Sequence, residues 1–303
     1  MPNQAPQQLD IFADSHETAL RNDVLLALEQ RNAPAAQAAW QRLQLACPAD
    51  EQLAPLAVLA AALAAALAAA LAPAETLPFA DPGALGTARA RLLGETTPAA
   101  QRLFGPAAAP WLAPLWRALA RRAAALPYQA ERGDDHAAPL WLAAGDWPAA
   151  QLAAEAIDAW RQRPAPLAWA AEACWRSRGL DAAWPLLAAL AWQAPARLDT
   201  VARRVADPSF NRLRKAFDAR FDGQHGAHDL AWLPAWALTE KPGLAALLDV
   251  TPRALGSPPE QAMRLMCTLL RLERQGRRAE LIDGRKALRS LNAALYATYL
   301  ASR

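Results

Sequence analysis

Proline occurs 25 times in these 303 residues, and its placement limits the chain to short helices more than any other feature. Pro34, Pro48, Pro73, Pro127, Pro164, Pro195 and Pro208 stand at the edges of runs built from Ala, Leu, Arg, Gln and Glu, all good helix formers. A proline in a first turn is harmless because that N–H has no intrahelical partner, whereas one in a helix interior removes a hydrogen bond and clashes with the preceding turn. Alternating Val/Ile/Thr/Tyr runs, the mark of strands, are missing. The reading is an all-α fold of short helices. Asp14-Ser15-His16-Glu17 has the form of a capping box, and Asp207-Pro208 that of an N-cap followed by Pro at the first helical position.

The length allows one large domain or two ordinary ones, with enough core to fold unaided. With 54% hydrophobic residues and a formal net charge of +3, the chain collapses, which excludes disorder throughout. Cys47, Cys174 and Cys267 lie far apart, which excludes a disulfide scaffold and a clustered-thiolate zinc site. The N-terminus, MPNQAPQQLDIFADS, lacks the basic and apolar regions of a secretory signal. Residues 53–72 run without a charge, yet their leucines fall at 53, 56, 59, 63, 67 and 71. That spacing is a stripe down one helix face with Ala elsewhere, and it reads as a buried or semi-buried helix more readily than a membrane span. The expectation is a cytoplasmic protein with no membrane partner.

Short helices between Gly/Pro/Asp turns suggest internal repeats. Asn32-Ala33-Pro34-Ala35-Ala36-Gln37 and Asp146-Trp147-Pro148-Ala149-Ala150-Gln151 are alike, and each opens an apolar helical run. The stretch Leu142-Ala143-Ala144-Gly145-Asp146-Trp147-Pro148-Ala149-Ala150 resembles the Gly-Asp-aromatic-x-x-Ala turn between the two helices of a tetratricopeptide (TPR) repeat. Gly179 follows Gly145 after 34 residues, the length of that repeat. A further Gly-led turn at Gln275-Gly276-Arg277-Arg278-Ala279 precedes the C-terminal helices. The resemblance covers residues 138–196 best and 20–47 and 265–303 loosely, and Pro164 falls two positions late. It implies a right-handed α-solenoid of antiparallel helix pairs with degenerate, TPR-like repeats. In domain terms the reading is a flexible peptide over 1–13 and a single helical-repeat domain over 14–303. The Pro-, Gly- and Ala-rich stretch 74–110 reads as a looser connection with one or two short helices, where a boundary remains open. Trp141, Trp147, Trp160, Trp169, Trp175, Trp184 and Trp192 are expected mainly in helix-pair contacts, filling the space that Ala leaves.

Catalytic motifs are absent: there is no phosphate-binding GxxxxGK[ST], no GxGxxG after a strand, no GxSxG and no HExxH. The compact pair His225 and His228, flanked by Asp222 and Asp229, is the one candidate metal constellation, but Gly223 and Gly226 make it a poor platform for fixed ligands. A surface loop leading into an N-cap is the plainer reading. Glu131-Arg132-Gly133-Asp134-Asp135-His136 likewise reads as a loop ending in a cap. No cofactor and no enzymatic activity are expected. Charge is uneven: residues 253–303 hold ten Lys/Arg against Glu260, Glu273, Glu280 and Asp283. Arg271, Arg274 and Arg278 share a face by helical spacing unless Gly276 breaks the helix, and such a face would track the phosphates of a nucleic acid.

Gln8-Leu9-Asp10-Ile11-Phe12 resembles the peptide by which bacterial replication and repair proteins dock on the β sliding clamp. The resemblance implies Gln8 as the polar hook at the rim of the clamp's site, Leu9 as first anchor, and Ile11 with Phe12 as the plug of adjacent apolar pockets. Asp10 would face solvent or the rim. Ile11 stands where that motif has Leu, preserving volume but stiffer at χ1. The alternative is that Ile11 and Phe12 fold onto Leu20 and Val24 as a hydrophobic staple closing the first helical pair. The expected function is a scaffold that holds protein partners in a concave helical groove, with the clamp and nucleic acid as candidate partners.

Overall fold

The computed structural model describes residues 5–71, 78–223, 227–248 and 256–303, with side chains from His16 onward and without that of Ala227. Among these the chain is all-α, with no strand. It divides into two compact units, Met1–Asp146 and Trp147–Arg303. The break falls inside the Gly145-Asp146-Trp147 turn. The described part of 74–110 instead belongs to the first unit and contains short helices.

The first unit comprises α1 (Ala5–Glu29), α2 (Ala33–Ala46), α3 (Leu53–Leu71), α4 (Pro82–Arg91), α5 (Thr97–Phe104), α6 (Ala108–Ala123) and α7 (Ala137–Ala143). Helix α1 starts nine residues before Asp14, so the Asp14–Glu17 pattern lies inside a helix and does not open one. Proline still marks starts: Asn32 caps Ala35 N–H at 3.0 Å with Pro34 beside it, and Asp81 caps Ala84 N–H at 3.0 Å with Pro82 at the first position. Val24 and Leu28 of α1 are fully buried. The indole N–H of Trp111 donates to Leu28 O at 2.9 Å, and Arg31 donates to Trp111 O at 2.7 Å, which ties α6 to the end of α1.

Helix α3 carries the leucine stripe. Leu56, Leu59 and Leu63 are buried, whereas Leu67 and Leu71 are 42% and 78% exposed. The stripe is thus covered as far as Leu63 and open over the last two turns of the helix. Among the described residues, α3 alone is long and apolar enough to cross a membrane, and 22% of its apolar window is buried.

The second unit comprises α8 (Trp147–Glu155), α9 (Pro164–Arg178), α10 (Leu180–Gln193), α11 (Pro195–Val205), α12 (Pro208–Arg220), α13 (Leu233–Glu240), α14 (Pro258–Gln275), α15 (Arg278–Leu291) and α16 (Ala293–Ala301), with 3-10 segments at Ala227–Trp232 and Pro242–Leu247. Helices α8, α9 and α10 pack in succession. Gly179, at φ +85°, makes the turn between α9 and α10, as Gly145, at φ +73°, does at the end of α7. These left-handed backbones are readily available to glycine. Pro164 falls late because the chain after α8 passes through left-handed Ala159 and a 3-10 turn at Trp160–Gln162 before α9 opens. Asp207 accepts from Ser209 and Phe210 N–H at 2.8 and 2.9 Å, the cap expected from Asp207-Pro208.

The core of this unit surrounds α13, in which Leu233 through Thr239 are all buried. Helix α13 touches α12, α14 and α16, and α10 reaches both α13 and α14. These contacts join elements far apart in the chain, so the unit is closed around α13 as well as stacked along α8–α10. Trp236 meets Phe217 edge-on at 5.4 Å, and Trp175 meets Phe210 at 5.0 Å. Trp169, Trp175 and Trp184 are buried, while Trp141, Trp147, Trp160 and Trp192 are half-buried. A buried carboxylate joins three helices. Glu172 accepts from Arg176 at 3.2 Å and lies 2.7 Å from Arg204, an ion pair outside hydrogen-bond geometry. Arg176 in turn stacks over Trp147 at 4.9 Å and donates to Arg204 O.

Two outcomes follow from these cores. Trp236→Ala, which empties the centre of the second unit, is expected to lower stability by about 3–5 kcal/mol in urea denaturation monitored by circular dichroism. In the first unit, burial pushes the His136 imidazole down to about 4 from 6.5. The unfolded chain therefore gains a proton below about pH 6.5 that the folded chain refuses until about pH 4. The His136 contribution is complete above about pH 6.5 and is lost by about 3 kcal/mol as pH falls toward 4. His136→Asn keeps a capping side chain and should flatten that part of the pH profile of denaturation midpoints.

Candidate functional site

The C-terminal charge excess is sorted by the fold. Helix α14 begins with Pro258 and ends at Gly276, whose φ is +69°. Arg277 N–H returns to Leu272 O at 3.1 Å, closing the end in Schellman fashion. Gly276 thus breaks the helix: Arg271 and Arg274 lie on α14, while Arg278 opens α15.

Every acid in this region is engaged. Glu260 pairs with Arg264 at 2.8 Å, Glu280 with Arg277, and Asp283 with Lys286 at 3.9 Å. Glu273 takes Arg285 and Arg303 at 3.5 and 3.3 Å and accepts the Tyr299 hydroxyl. Arg285 and Arg303 also stand 5.6 and 5.4 Å from the Tyr299 ring centre, so a buried phenol and a carboxylate clasp α16 to α14 and α15. Burial and the bond to Glu273 raise the Tyr299 pKa. Among the described residues, Arg271, Arg274 and Arg278 then have no carboxylate partner.

Arg271 and Arg274 line one cavity of about 380 Å3 with Thr268, Gln275, Cys267 and the 3-10 segment residues Ala245 and Ala246. Arg274 donates to Leu270 O at 3.2 Å, and Arg278 is not among the lining residues. The pocket offers two guanidinium groups and the Gln275 amide, a donor set suited to an anion, while the Thr268 hydroxyl is taken, donating to Arg264 O at 3.1 Å. Cys267 is no nucleophile there: burial pushes its thiol up to about 11, and its sulfur rests 3.8 Å from that of Met263.

A second depression in the same unit, of about 200 Å3, lies across α9, α10 and α14. Half-buried Leu186, Ala189 and Trp192 supply apolar surface over the buried side chains of Leu167 and Met263, with Gln193, Arg161 and the Arg264–Glu260 pair around them. An apolar centre with an aromatic residue and a polar surround is the anatomy of a protein-binding hot spot. No sequence motif announces this depression, because its residues come from helices nearly a hundred positions apart.

The remaining candidates are placed as follows. The backbone of Gln8, Leu9, Asp10, Ile11 and Phe12 belongs to α1, and their side chains lie outside the described residues. His225 also lies outside the described residues, and His228 is exposed in the Ala227–Trp232 segment. Asp229 folds back so closely on Gly223 that an added Cβ there would stand 2.5 Å from its carboxylate. Among the described residues no group of three or more His, Cys, Asp and Glu is placed to hold a metal. In the 131–136 loop, Asp134 and Asp135 engage Arg89 at 3.5 and 3.4 Å, and His136 Nδ1 caps α7 by accepting from Ala138 N–H at 3.2 Å. That loop does end in a cap, and His136 supplies it.

Compared with protein-family models, curated proteins and solved structures, the chain matches none.

Proposed function

We propose that this protein is a non-enzymatic interaction scaffold built on TPR-like helical repeats, tethered to the bacterial β sliding clamp through Gln8–Phe12. The observation that carries the scaffold reading is the depression across α9, α10 and α14, where half-buried Trp192, Leu186 and Ala189 lie beside Arg161 and the Arg264–Glu260 pair. The Gly145 and Gly179 turns, 34 residues apart and both left-handed, support the repeat reading. The clamp tether rests on the five-residue resemblance. Its test is binding of the whole protein to a bacterial β clamp by calorimetry, beside a Leu9→Ala/Phe12→Ala variant. Micromolar binding, weakened at least about tenfold in the variant with helicity and melting unchanged, is the expected result. Absence of binding, or a variant that also melts earlier, returns Phe12 to the fold.

A second reading has its own observation, the three arginines whose local acids are all taken. In it, α14 and the start of α15 hold the phosphates of a nucleic acid. Binding to a DNA duplex should then fall steeply with salt, and Arg271→Glu/Arg274→Glu/Arg278→Glu should lower the slope of log K against log salt by about three. A slope unchanged by the triple reversal would remove this reading.

A further inference from the structure

Arg271 and Arg274 stand three positions apart on α14, so both side chains leave the same face of the helix. The Pro242–Leu247 segment touches α14 and brings Ala245 and Ala246 to the pocket that the two arginines line. Gln275 lines the same space, and no Asp or Glu does. Arg271 makes no hydrogen bond, ion pair or ring contact among the described residues. Arg274 commits only its Nε, to Leu270 O, which leaves both terminal amino groups of its fork.

The neighbouring carboxylates do not neutralise this pair. Glu273 is held by Arg285, Arg303 and the Tyr299 hydroxyl, and Glu260, Glu280 and Asp283 pair with Arg264, Arg277 and Lys286. The pocket therefore presents two positive charges and an amide donor beside a small apolar wall. Like charges one helical turn apart repel. A doubly charged anion offsets both of them, a singly charged anion only one. Two guanidinium forks and an amide also match a group with three terminal acceptor oxygens better than a carboxylate with two.

We propose that this pocket binds the phosphoryl group of a phosphate monoester, a dianion above its second pKa of about 6. The phosphoryl oxygens accept from Arg271, from the terminal amino groups of Arg274 and from the Gln275 amide, and the ester carbon lies against Ala245 and Ala246. The inference rests on neither reading above. It shares two arginines with the nucleic-acid reading and parts from it at Arg278, which does not line the pocket. It parts also in the charge of the group bound, since a nucleic-acid phosphate is a singly charged diester.

The test is titration of the whole protein with methyl phosphate, by calorimetry and by the arginine Nε–H signals in NMR, beside dimethyl phosphate and a peptide whose one charged residue is phosphoserine. The expected result is saturable binding of methyl phosphate that shifts the signals of Arg271 and Arg274 and leaves that of Arg278 in place. Binding should be at least about tenfold tighter than that of the diester and should weaken as the monoester is protonated below about pH 6. Arg271→Gln/Arg274→Gln, at exposed positions, should weaken it at least about tenfold. Ala246→Glu, also at an exposed position, sets a carboxylate on the facing wall and should weaken it comparably with both arginines intact. Arg278→Gln should leave it unchanged. A peptide bound at least about tenfold tighter than methyl phosphate assigns the monoester to a phosphorylated protein, and equal or lower affinity assigns it to a free ester. Unshifted signals of Arg271 and Arg274 overturn the proposal without recourse to any variant. So do equal affinity for monoester and diester, undiminished binding by the folded double variant, and loss of binding through Arg278→Gln alone.

Discussion

Alanine sets how this chain packs. Along α9, Ala165, Ala168, Ala170, Ala171 and Ala173 are buried on all sides of the helix, and Ala183, Ala188 and Ala191 do the same on α10. A methyl side chain lets a neighbouring backbone come close but leaves space wherever two helices diverge. Interiors do not tolerate such space, because every missing atom forfeits contact energy. Tryptophan fills it. Trp169, Trp175, Trp184 and Trp236 are buried beside those alanines, at a price visible in the indole N–H groups of Trp175, Trp184 and Trp236, which lack a hydrogen-bond partner among the described residues. The same small side chains on α3 have the opposite result. Where no tryptophan stands opposite Ala61–Ala69, the space stays open as a groove.

Charge follows a comparable rule of supply. The region from α14 to the C-terminus contains more cations than anions, and the fold assigns each anion before any cation is left over. Glu273 is the clearest case, holding Arg285, Arg303 and Tyr299 together. Buried Glu172 does similar work for α8, α9 and α11. Carboxylates placed at helix junctions act as structural pins. The arginines left on the outer side of α14 carry the surplus, which is why a basic surface and a stable core coexist in one short segment.

Much of the local structure is legible in the sequence. Proline at helix starts, Asn32, Asp81 and Asp207 as caps, and glycine at Gly145, Gly179 and Gly276 all act through backbone geometry within a few residues, so no distant contact is needed to read them. The capping-box pattern at Asp14 shows the limit of that approach. An apolar, helix-favouring run upstream carries α1 back to Ala5, and a cap signal is overridden when the chain before it is already helical. His136 as the cap of α7 has an equally local cause, but imidazole is an uncommon cap beside Asp134 and Asp135.

The sequence by itself determined that this chain is all-α, where several of its helices stop, and which segment carries excess positive charge. Those properties depend on side-chain type and on spacings of three or four residues. Only the tertiary structure decided that the chain divides at Asp146–Trp147, that α13 is enclosed from Leu233 to Thr239, that the leucine stripe on α3 is open at Leu67 and Leu71, and which arginines remain unpaired among the described residues. Burial and ion pairing depend on distances between residues far apart in the chain, such as Glu273 and Tyr299 or Phe217 and Trp236. The grooves belong to the same class: each is a space between helices, and no single helix encodes the shape of what it does not fill.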